Sequence, residues 1–305
     1  MNILVIGGNG FIGSHLVDYL LVCGHKVRVF DVSYERYREP LSDVEYRISN
    51  LENTPDLYEA MLGIETIFYL ASASVPSTSN VDIISDINKN LMPLLNVLNL
   101  SVKMGIMRFV YFSSGGAVYG VPLTEKISEE HPLHPISSYG IVKATVENYL
   151  LLYQRLYGIV PLILRPSNPF GPRQGHFMAQ GVISTFLRKI KDNESISVFG
   201  DGTSKKDYIY IKDLVKLCCD LTFTGECGIY NIGSGIGTSI NEIICYIKNV
   251  TNIDMEVNYL DKQIYDVEHF VLDISKIMSF CSICEFTSME IGIKDTWNWI
   301  LTNSN

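Results

Sequence analysis

A glycine-rich turn between the first strand and the first helix constrains the fold of this chain more than any other feature. The apolar run Ile3–Ile6 is typical of a strand that is buried on both faces, and Phe11–Leu21 has the apolar spacing of a helix. Between them, Gly7 permits a sharp turn, Gly10 lets a phosphate approach the backbone, and Gly13 lets the helix pack closely on the strand. The turn therefore predicts the first crossover of a dinucleotide-binding fold.

Strands and helices alternate through the rest of the N-terminal half. Further strands are predicted at Val27–Phe30, Thr66–Leu70, Phe109–Phe112 and Val160–Leu164, and helices at about 83–104 and 139–156. This alternation predicts an α/β fold with a doubly wound parallel (Rossmann) sheet. Beyond Arg165, proline- and glycine-rich loops and a helix near 180–191 indicate a smaller C-terminal substrate-binding domain. We expect the cofactor-binding domain at 1–165 and the substrate domain at 166–305, with about 208–233 returning to the first domain.

Charge and cysteine usage exclude several classes of function. The net charge of −9 gives no footprint for non-specific binding to nucleic acid or to an anionic membrane. The seven cysteines show no paired metal-ligand spacing, so no metal site is predicted. The chain shows no signal-peptide pattern at its start and no apolar run of the ~18 residues that span a bilayer. We therefore expect a cytoplasmic protein that acts on a small molecule.

An acidic residue ends the second predicted strand. Asp31 follows the last glycine of the turn, Gly13, by 18 residues. A carboxylate at this position accepts hydrogen bonds from the adenosine ribose and repels a 2′-phosphate, which favours NAD over NADP. Arg28, Arg36 and Arg38 lie nearby in sequence and keep NADP as the alternative.

A tyrosine, a lysine and a serine form the predicted chemical site. Tyr139 and Lys143 have the i, i+4 spacing that places both on one face of a helix. A nearby ammonium and an oxidised nicotinamide would both stabilise the tyrosine phenolate, which makes Tyr139 the expected general base. The strand Phe109–Phe112 is followed by Ser113 and Ser114, and we expect the Ser114 hydroxyl to hold the same substrate oxygen.

These motifs, taken together, resemble the extended short-chain dehydrogenase/reductase family, in particular its nucleotide-sugar epimerases, dehydratases and reductases. The resemblance covers nearly the whole chain and includes Ile67–Ala71, Asn88–Asn90, Arg165–Gln174, Phe199–Asp213 and Tyr230–Gly235. It implies a nucleotide-sugar substrate and a set of cofactor contacts: Gly7, Gly10, Phe11, Ile12, Gly13, Asp31, Asn50, Leu51, Leu70, Ala71, Asn88, Ser113, Tyr139, Lys143 and Pro166. It also implies substrate contacts at Ser114, Tyr139, Asn168, Arg173, Lys206 and Gln263.

The sequence departs from the family pattern at several positions. Lys206 and Gln263 stand where the family usually has arginines that bind nucleotide phosphates. Lysine cannot make the planar two-pronged contact of an arginine with a phosphate, and glutamine brings no charge. Gly115 stands where epimerases of the galactose type often carry the catalytic hydroxyl. Gly116 and Ala117 replace the acidic pair with which dehydratases of the family move protons, so dehydration is not expected.

Three functions remain open from the sequence. The first is a 4-epimerase of a UDP- or dTDP-hexose, and the second is an NAD(P)H-dependent reductase of a nucleotide-linked 4-keto-6-deoxy sugar. The third is a non-catalytic NAD-binding regulator, against which the intact pair of Tyr139 and Lys143 argues. The apolar faces of the helices at 83–104 and 139–156 either pair with a second copy in a homodimer or simply cover the sheet.

Overall fold

The computed structural model describes residues 1–175, 181–262, 269–281 and 285–303. Its strands are β1 (Asn2–Ile6), β2 (Lys26–Asp31), β3 (Val44–Ile48), β4 (Thr66–Tyr69), β5 (Arg108–Phe112), β6 (Val160–Pro166), β7 (Asn168–Phe170), β8 (Ile196–Phe199), β9 (Lys205–Tyr210), β10 (Gly228–Ile232), β11 (Gly237–Ser239), β12 (Val257–Leu260) and β13 (His269–Phe270). Its helices are α1 (Phe11–Val22), α2 (Thr54–Met61), α3 (Pro76–Ser79), α4 (Ile83–Met104), α5 (Gly115–Val118), α6 (Ser138–Tyr157), α7 (Val182–Lys191), α8 (Ile211–Phe223), α9 (Ile240–Thr251), α10 (Ser275–Met278) and α11 (Met289–Thr302).

The central sheet has seven strands in the order β10-β6-β5-β4-β1-β2-β3. The neighbouring strands from β6 to β3 run parallel. The strand order reverses between β1 and β4, and ligands of doubly wound sheets bind at the carboxyl ends of the strands beside such a reversal. The α/β fold predicted from the sequence is confirmed.

Burial explains why the predicted strands formed. Ile3, Leu4 and Val5 are all fully buried, so both faces of β1 are covered, as its continuous apolar run indicated. On one face of the sheet, α2, α4 and α6 pack against β1, β4, β5 and β6 in a single apolar cluster. This packing holds the carboxyl ends of β1, β4 and β5, from which the site is built, on a rigid support.

The chain divides into two compact units. The first contains Met1–Gly120, Pro132–Pro166 and Cys218–Tyr230. The second contains Val121–His131, Ser167–Leu217 and the described part of the chain from Asn231 onward. The segment that returns to the first unit lies inside the predicted range of 208–233, whereas the sequence did not indicate that Val121–His131 belongs to the second.

The described part of the second unit contains short strands, the longer helices α7, α9 and α11, and the first half of α8. β9 pairs with β7, β11 and β13, and β8 pairs with β12. α11 packs against both α7 and α9. Within the described ranges of the chain, no helix is long and apolar enough to cross a membrane.

Candidate active site

In the glycine turn between β1 and α1, nearby backbone atoms leave no room for a side chain at Gly7 or Gly13. Gly7 has a φ of +85°, in the left-handed region, and a Cβ there would lie 2.8 Å from the backbone nitrogen of Ala71. A Cβ on Gly13 would lie 2.2 Å from the carbonyl oxygen of Gly7. α1 follows Gly10, which has no side chain to cap it, so the first N–H groups of the helix are available to an anion.

Asp31 ties the end of β2 to the glycine turn. Its carboxylate accepts hydrogen bonds from the backbone N–H of Asn9 at 3.0 Å and from the backbone N–H and hydroxyl of Ser33, each at 3.1 Å. The side-chain nitrogen Nδ2 of Asn9 donates to the carbonyl oxygen of Ser33 at 2.7 Å. The buried side-chain oxygen Oδ1 of Asn9 has no hydrogen-bond partner in the structure. A buried acceptor of this kind suits a ligand that brings hydroxyl or N–H donors.

A cavity of about 380 Å³ opens between these segments. Of the predicted cofactor contacts, it is lined by Gly7, Gly10, Asp31, Asn50, Leu51, Leu70 and Ala71, and it also touches Asn9, Ser33, Arg36, Tyr37, Lys89 and Pro93. Phe11, Ile12 and Gly13 lie in the first turn of α1 and do not line it. The glycine cradle, the acid at the ribose position and the orphaned Asn9 oxygen all fit a bound dinucleotide.

The structure corrects the position of one predicted cofactor contact on α4. Asn88 is exposed and lines neither this cavity nor the smaller one beside it. Residues two apart on a helix point to nearly opposite sides, and here it is Asn90 that faces the site. Its Oδ1 accepts a hydrogen bond from the backbone N–H of Ala73 at 2.7 Å.

The three predicted catalytic side chains lie together in the first unit. Tyr139 and Lys143 project from the start of α6 into the smaller cavity, beside Tyr69 and Tyr111. The hydroxyl of Ser114 hydrogen-bonds to that of Tyr139. The Lys143 Nζ donates to the carbonyl oxygen of Phe112 at 2.8 Å and lies 5.4 Å from the centre of the Tyr139 ring. This arrangement allows a proton to be exchanged with a substrate hydroxyl at the Tyr139 oxygen.

Burial has the largest effect on the pKa of Tyr139, larger than that of any neighbouring side chain. Burial raises its pKa to about 12, the Ser114 hydrogen bond works in the opposite direction, and the charge of Asp86 adds to the rise. Burial also lowers the pKa of Lys143 to about 8, against the charges of Glu147 and Asp86. Lys143 is not among the groups that noticeably shift the pKa of Tyr139. The expected stabilisation of the phenolate by Lys143 together with an oxidised nicotinamide stays a prediction.

Ser113, predicted to contact the cofactor, has a different partner. Its hydroxyl donates to Glu147 Oε1 at 2.5 Å, and its backbone N–H donates to the carbonyl oxygen of Leu164 at 2.8 Å. The side chain therefore points into the protein, away from both cavities. Pro166 ends β6, is buried, and lines neither cavity.

Glu147 belongs to a buried ion pair that sequence reasoning missed. Arg165 donates from Nη2 to Glu147 Oε2 at 2.5 Å and from Nη1 to the Tyr119 hydroxyl at 2.9 Å. Both charged side chains are only 2% exposed. Burial works against the charge of Arg165, but the hydrogen bonds and charge of Glu147 overcome it and raise the pKa of the guanidinium. A signal for Glu147 was present, since it lies four residues after Lys143 on the same helix.

Three predicted substrate contacts, Asn168, Arg173 and Lys206, belong to the second unit. Asn168, at the start of β7, donates from Nδ2 to the carbonyl oxygen of Asp207 at 2.8 Å, and Lys206 lies in the adjacent strand β9. Arg173 has a φ of 72°, which few residues other than glycine adopt. Gln263 lies outside the described residues. Their role in binding substrate stays a prediction.

Comparison with known proteins places the chain in a family of enzymes. The family model described as NAD dependent epimerase/dehydratase family matches residues 3–233. Because this match covers more than half of the chain, the protein belongs to that family. The predicted family resemblance, the NAD cofactor and the enzymatic nature of the protein are thereby confirmed, which sets aside the non-catalytic regulator.

Individual relatives differ in activity. The chain is 35% identical over 305 residues to a Methanocaldococcus jannaschii protein provisionally named UDP-glucose 4-epimerase, with 99% of each chain covered. It is 32% identical over 286 residues to the dTDP-4-dehydro-6-deoxyglucose reductase of Escherichia coli, with 91% of this chain and 90% of the reductase covered. Among solved structures it is similar to the UDP-glucose 4-epimerase of Thermotoga maritima with UDP-glucose, with a TM-score of 0.92, 32% identity and 100% of both chains covered.

Proposed function

We propose that this protein is an NAD-dependent 4-epimerase of a UDP- or dTDP-hexose. The observation that carries the proposal is the cluster of Ser114, Tyr139 and Lys143 next to the dinucleotide cavity, in one compact unit. The proposal also draws support from the resemblance over full length to proteins named as 4-epimerases.

Each side chain has a defined task in this reaction. The Tyr139 oxygen takes the proton of the C4 hydroxyl as that carbon is oxidised and returns it when the ketone is reduced. The Ser114 hydroxyl polarises the same substrate oxygen, and the Lys143 ammonium binds the nicotinamide ribose and supplies positive charge beside the ring of Tyr139. Bound NAD would accept the hydride from C4 and give it back. Rotation of the 4-keto sugar between the two transfers exposes its other face and inverts C4.

The raised pKa of Tyr139 affects its two proton transfers in this reaction. A phenol whose pKa is about 12 is protonated at neutral pH, so the protein alone holds the side chain in the form that donates a proton. The positive charge of an oxidised nicotinamide favours the phenolate, and a reduced nicotinamide removes that charge. The charge state of the cofactor would therefore switch Tyr139 between base and acid, as the two halves of an epimerisation require.

The interconversion of UDP-glucose and UDP-galactose, and of the corresponding dTDP sugars, tests the proposal. We expect both directions without added NADH, and in D₂O no deuterium at C4, because the hydride returns from the cofactor rather than from solvent. Tyr139→Phe is the matched control, since it removes one oxygen from the site. Failure of the purified, NAD-loaded protein to interconvert any such pair would overturn the proposal.

A 4-ketosugar reductase is the second candidate, and the 32% identity to the Escherichia coli reductase favours it. Such an enzyme would use Tyr139 once, as an acid, and would consume NADH. Loss of NADH absorbance on addition of a dTDP-4-keto-6-deoxy sugar, with no interconversion of the 4-epimers, would identify it. Release of the dinucleotide during purification would point the same way, because an epimerase returns the hydride from a retained cofactor.

We also propose that the enzyme is a homodimer, paired through α4 and α6. The two helices pack on each other and carry large apolar side chains that are exposed: Ile84, Met92, Ile141, Leu152 and Leu156. Helix faces of this kind are typical of contacts between subunits. Sedimentation analysis tests this, with Leu156→Glu expected to give a monomer.

A further inference from the structure

Asp86, in the first turn of α4, joins three segments around the smaller cavity. Its Oδ1 accepts hydrogen bonds from the Ser74 hydroxyl at 2.5 Å and from the Asn90 amide at 2.8 Å. Its Oδ2 accepts one from the Ser138 hydroxyl at 2.6 Å. The side chain is buried, with 4% of the residue exposed. Three donors to one buried group are the pattern expected for a carboxylate, which can only accept.

Two of these bonds hold the surroundings of the catalytic residues. Ser138 is the first residue of α6 and directly precedes Tyr139, and its backbone N–H donates to Asn80 Oδ1 at 2.9 Å. Ser74 lies in the loop after β4, and Asn90 holds the same loop through the backbone N–H of Ala73. Asp86 therefore fixes both the start of the catalytic helix and a loop that lines both cavities.

The charge of Asp86 acts on the catalytic pair itself. Asp86 lines the smaller cavity together with Tyr139 and Lys143, and its negative charge raises the pKa of each, although burial is the larger influence on both. The other ionisable side chains that face this cluster are Tyr69 from β4, Tyr111 from β5 and Glu147 from α6. Of these, Glu147 acts on Lys143 but not noticeably on Tyr139.

We propose that Asp86 is a positioning residue of the active site. It anchors the start of the catalytic helix and places a buried negative charge beside Tyr139, which exchanges the proton, and beside the Lys143 ammonium. The inference rests on the proposed role of Tyr139 as base and acid, and it does not depend on which sugar is the substrate. No other described carboxylate lines the smaller cavity.

Asp86→Asn removes the negative charge and keeps the size and shape of the side chain. The Asn90 amide can still donate to the remaining oxygen, and the Ser138 hydroxyl can rotate to accept from the new amide, so the hydrogen bonds survive. Loss of the negative charge favours the deprotonated form of both neighbours. Both limbs of the pH profile of kcat/KM should therefore move toward acid pH, by about one pH unit.

Asp82→Asn is the matched control. Asp82 caps the same helix four residues earlier, accepts a hydrogen bond from the backbone N–H of Ser85 at 2.9 Å, and is exposed. Asparagine caps a helix as well as aspartate does, and an exposed charge is screened by solvent. This variant should keep the wild-type pH profile. A fall in the activity of Asp86→Asn with both limbs unmoved would overturn the electrostatic part of the proposal.

Ser138→Ala tests the anchoring part and covers the case in which Asp86→Asn does not fold. It removes the hydrogen bond from Ser138 to Asp86 and keeps the charge of Asp86. The value of kcat should therefore fall at least about tenfold, with little change in KM and no shift of either limb of the pH profile. Wild-type kcat in this variant would overturn the anchoring. Ultraviolet titration of the phenolate of Tyr139, read as the difference from Tyr139→Phe, needs no substrate. The signal should appear at lower pH in Asp86→Asn, and this readout remains valid even if the proposed sugar reaction is absent.

Discussion

Replacing Glu147 by glutamine removes the negative member of the buried ion pair and keeps the size of the side chain. In the wild type, Arg165 donates to Glu147 from Nε, at 3.1 and 3.2 Å to the two oxygens, and from Nη2 at 2.5 Å. Glutamine retains one oxygen, so the Ser113 hydroxyl or one guanidinium nitrogen keeps a partner. The guanidinium, 2% exposed, keeps its bond to Tyr119 but loses the opposite charge of Glu147.

The expected cost follows from removing the negative charge of Glu147 that lies against this buried cation. Breaking a buried ion pair by removal of one partner destabilises a protein by about 3 to 5 kcal/mol. With the shape and one hydrogen bond preserved, we expect about 3 kcal/mol for Glu147→Gln. The double variant Glu147→Met, Arg165→Met replaces both charges with apolar side chains, and it should be less destabilised than Glu147→Gln, since apolar replacement of a buried pair is often close to neutral.

Urea denaturation followed by circular dichroism measures these differences in the free energy of unfolding. Glu45→Gln is the matched control, because Glu45 pairs with Arg28 at 2.7 Å in a position where its side chain is 43% exposed. Exposed pairs of this kind contribute about 0 to 1 kcal/mol. A cost below about 1 kcal/mol for Glu147→Gln, or a double variant less stable than the single one, would contradict the reasoning.

Three further outcomes are expected. Tyr139→Phe should lower kcat by about 10² to 10⁴-fold with little change in KM or in thermal stability, as measured by steady-state kinetics and melting. Gly13→Ala should lose NAD binding or fail to fold, because its Cβ would lie 2.2 Å from a carbonyl oxygen, whereas Gly116→Ala, with nothing within 4 Å of the new Cβ, should bind NAD normally in fluorescence titrations. Since burial lowers the pKa of Lys143 to about 8, the ammonium predominates below that pH and is lost above it. Activity should therefore decline as the pH rises through about 8, and Lys143→Arg, which stays charged, should be less active but lack this decline.

The sequence predicted those parts of the fold that local patterns specify. β1, β2, β4, β5 and β6 were all predicted to within two residues at each end, because buried parallel strands are continuous apolar runs. β3 and α2 were not predicted. β3 is the last strand of the sheet and alternates buried or half-buried residues with exposed ones, and α2 has only eight residues, so neither carries a long pattern.

In the candidate site, too, only the residues that local spacing specifies could be predicted from the sequence. Gly7, Asp31, Tyr139 and Lys143 could be named from the sequence because their chemistry depends on spacing within one turn or one helix. The same reasoning chose Asn88 where the structure presents Asn90, since the sequence did not show which face of α4 meets the loop after β4.

The sequence by itself determined the glycine turn, the acid after β2 and the helical pairing of tyrosine with lysine. Only the tertiary structure decided which distant partners surround them. Glu147 meets Arg165 from 18 residues away and Ser113 from 34, and Asp86 meets Ser138 from 52. The order of strands in the sheet brings these residues together. Because a pKa depends on the solvent and charges that remain around a group after packing, no local pattern could predict that burial raises the pKa of Tyr139 and lowers that of Lys143.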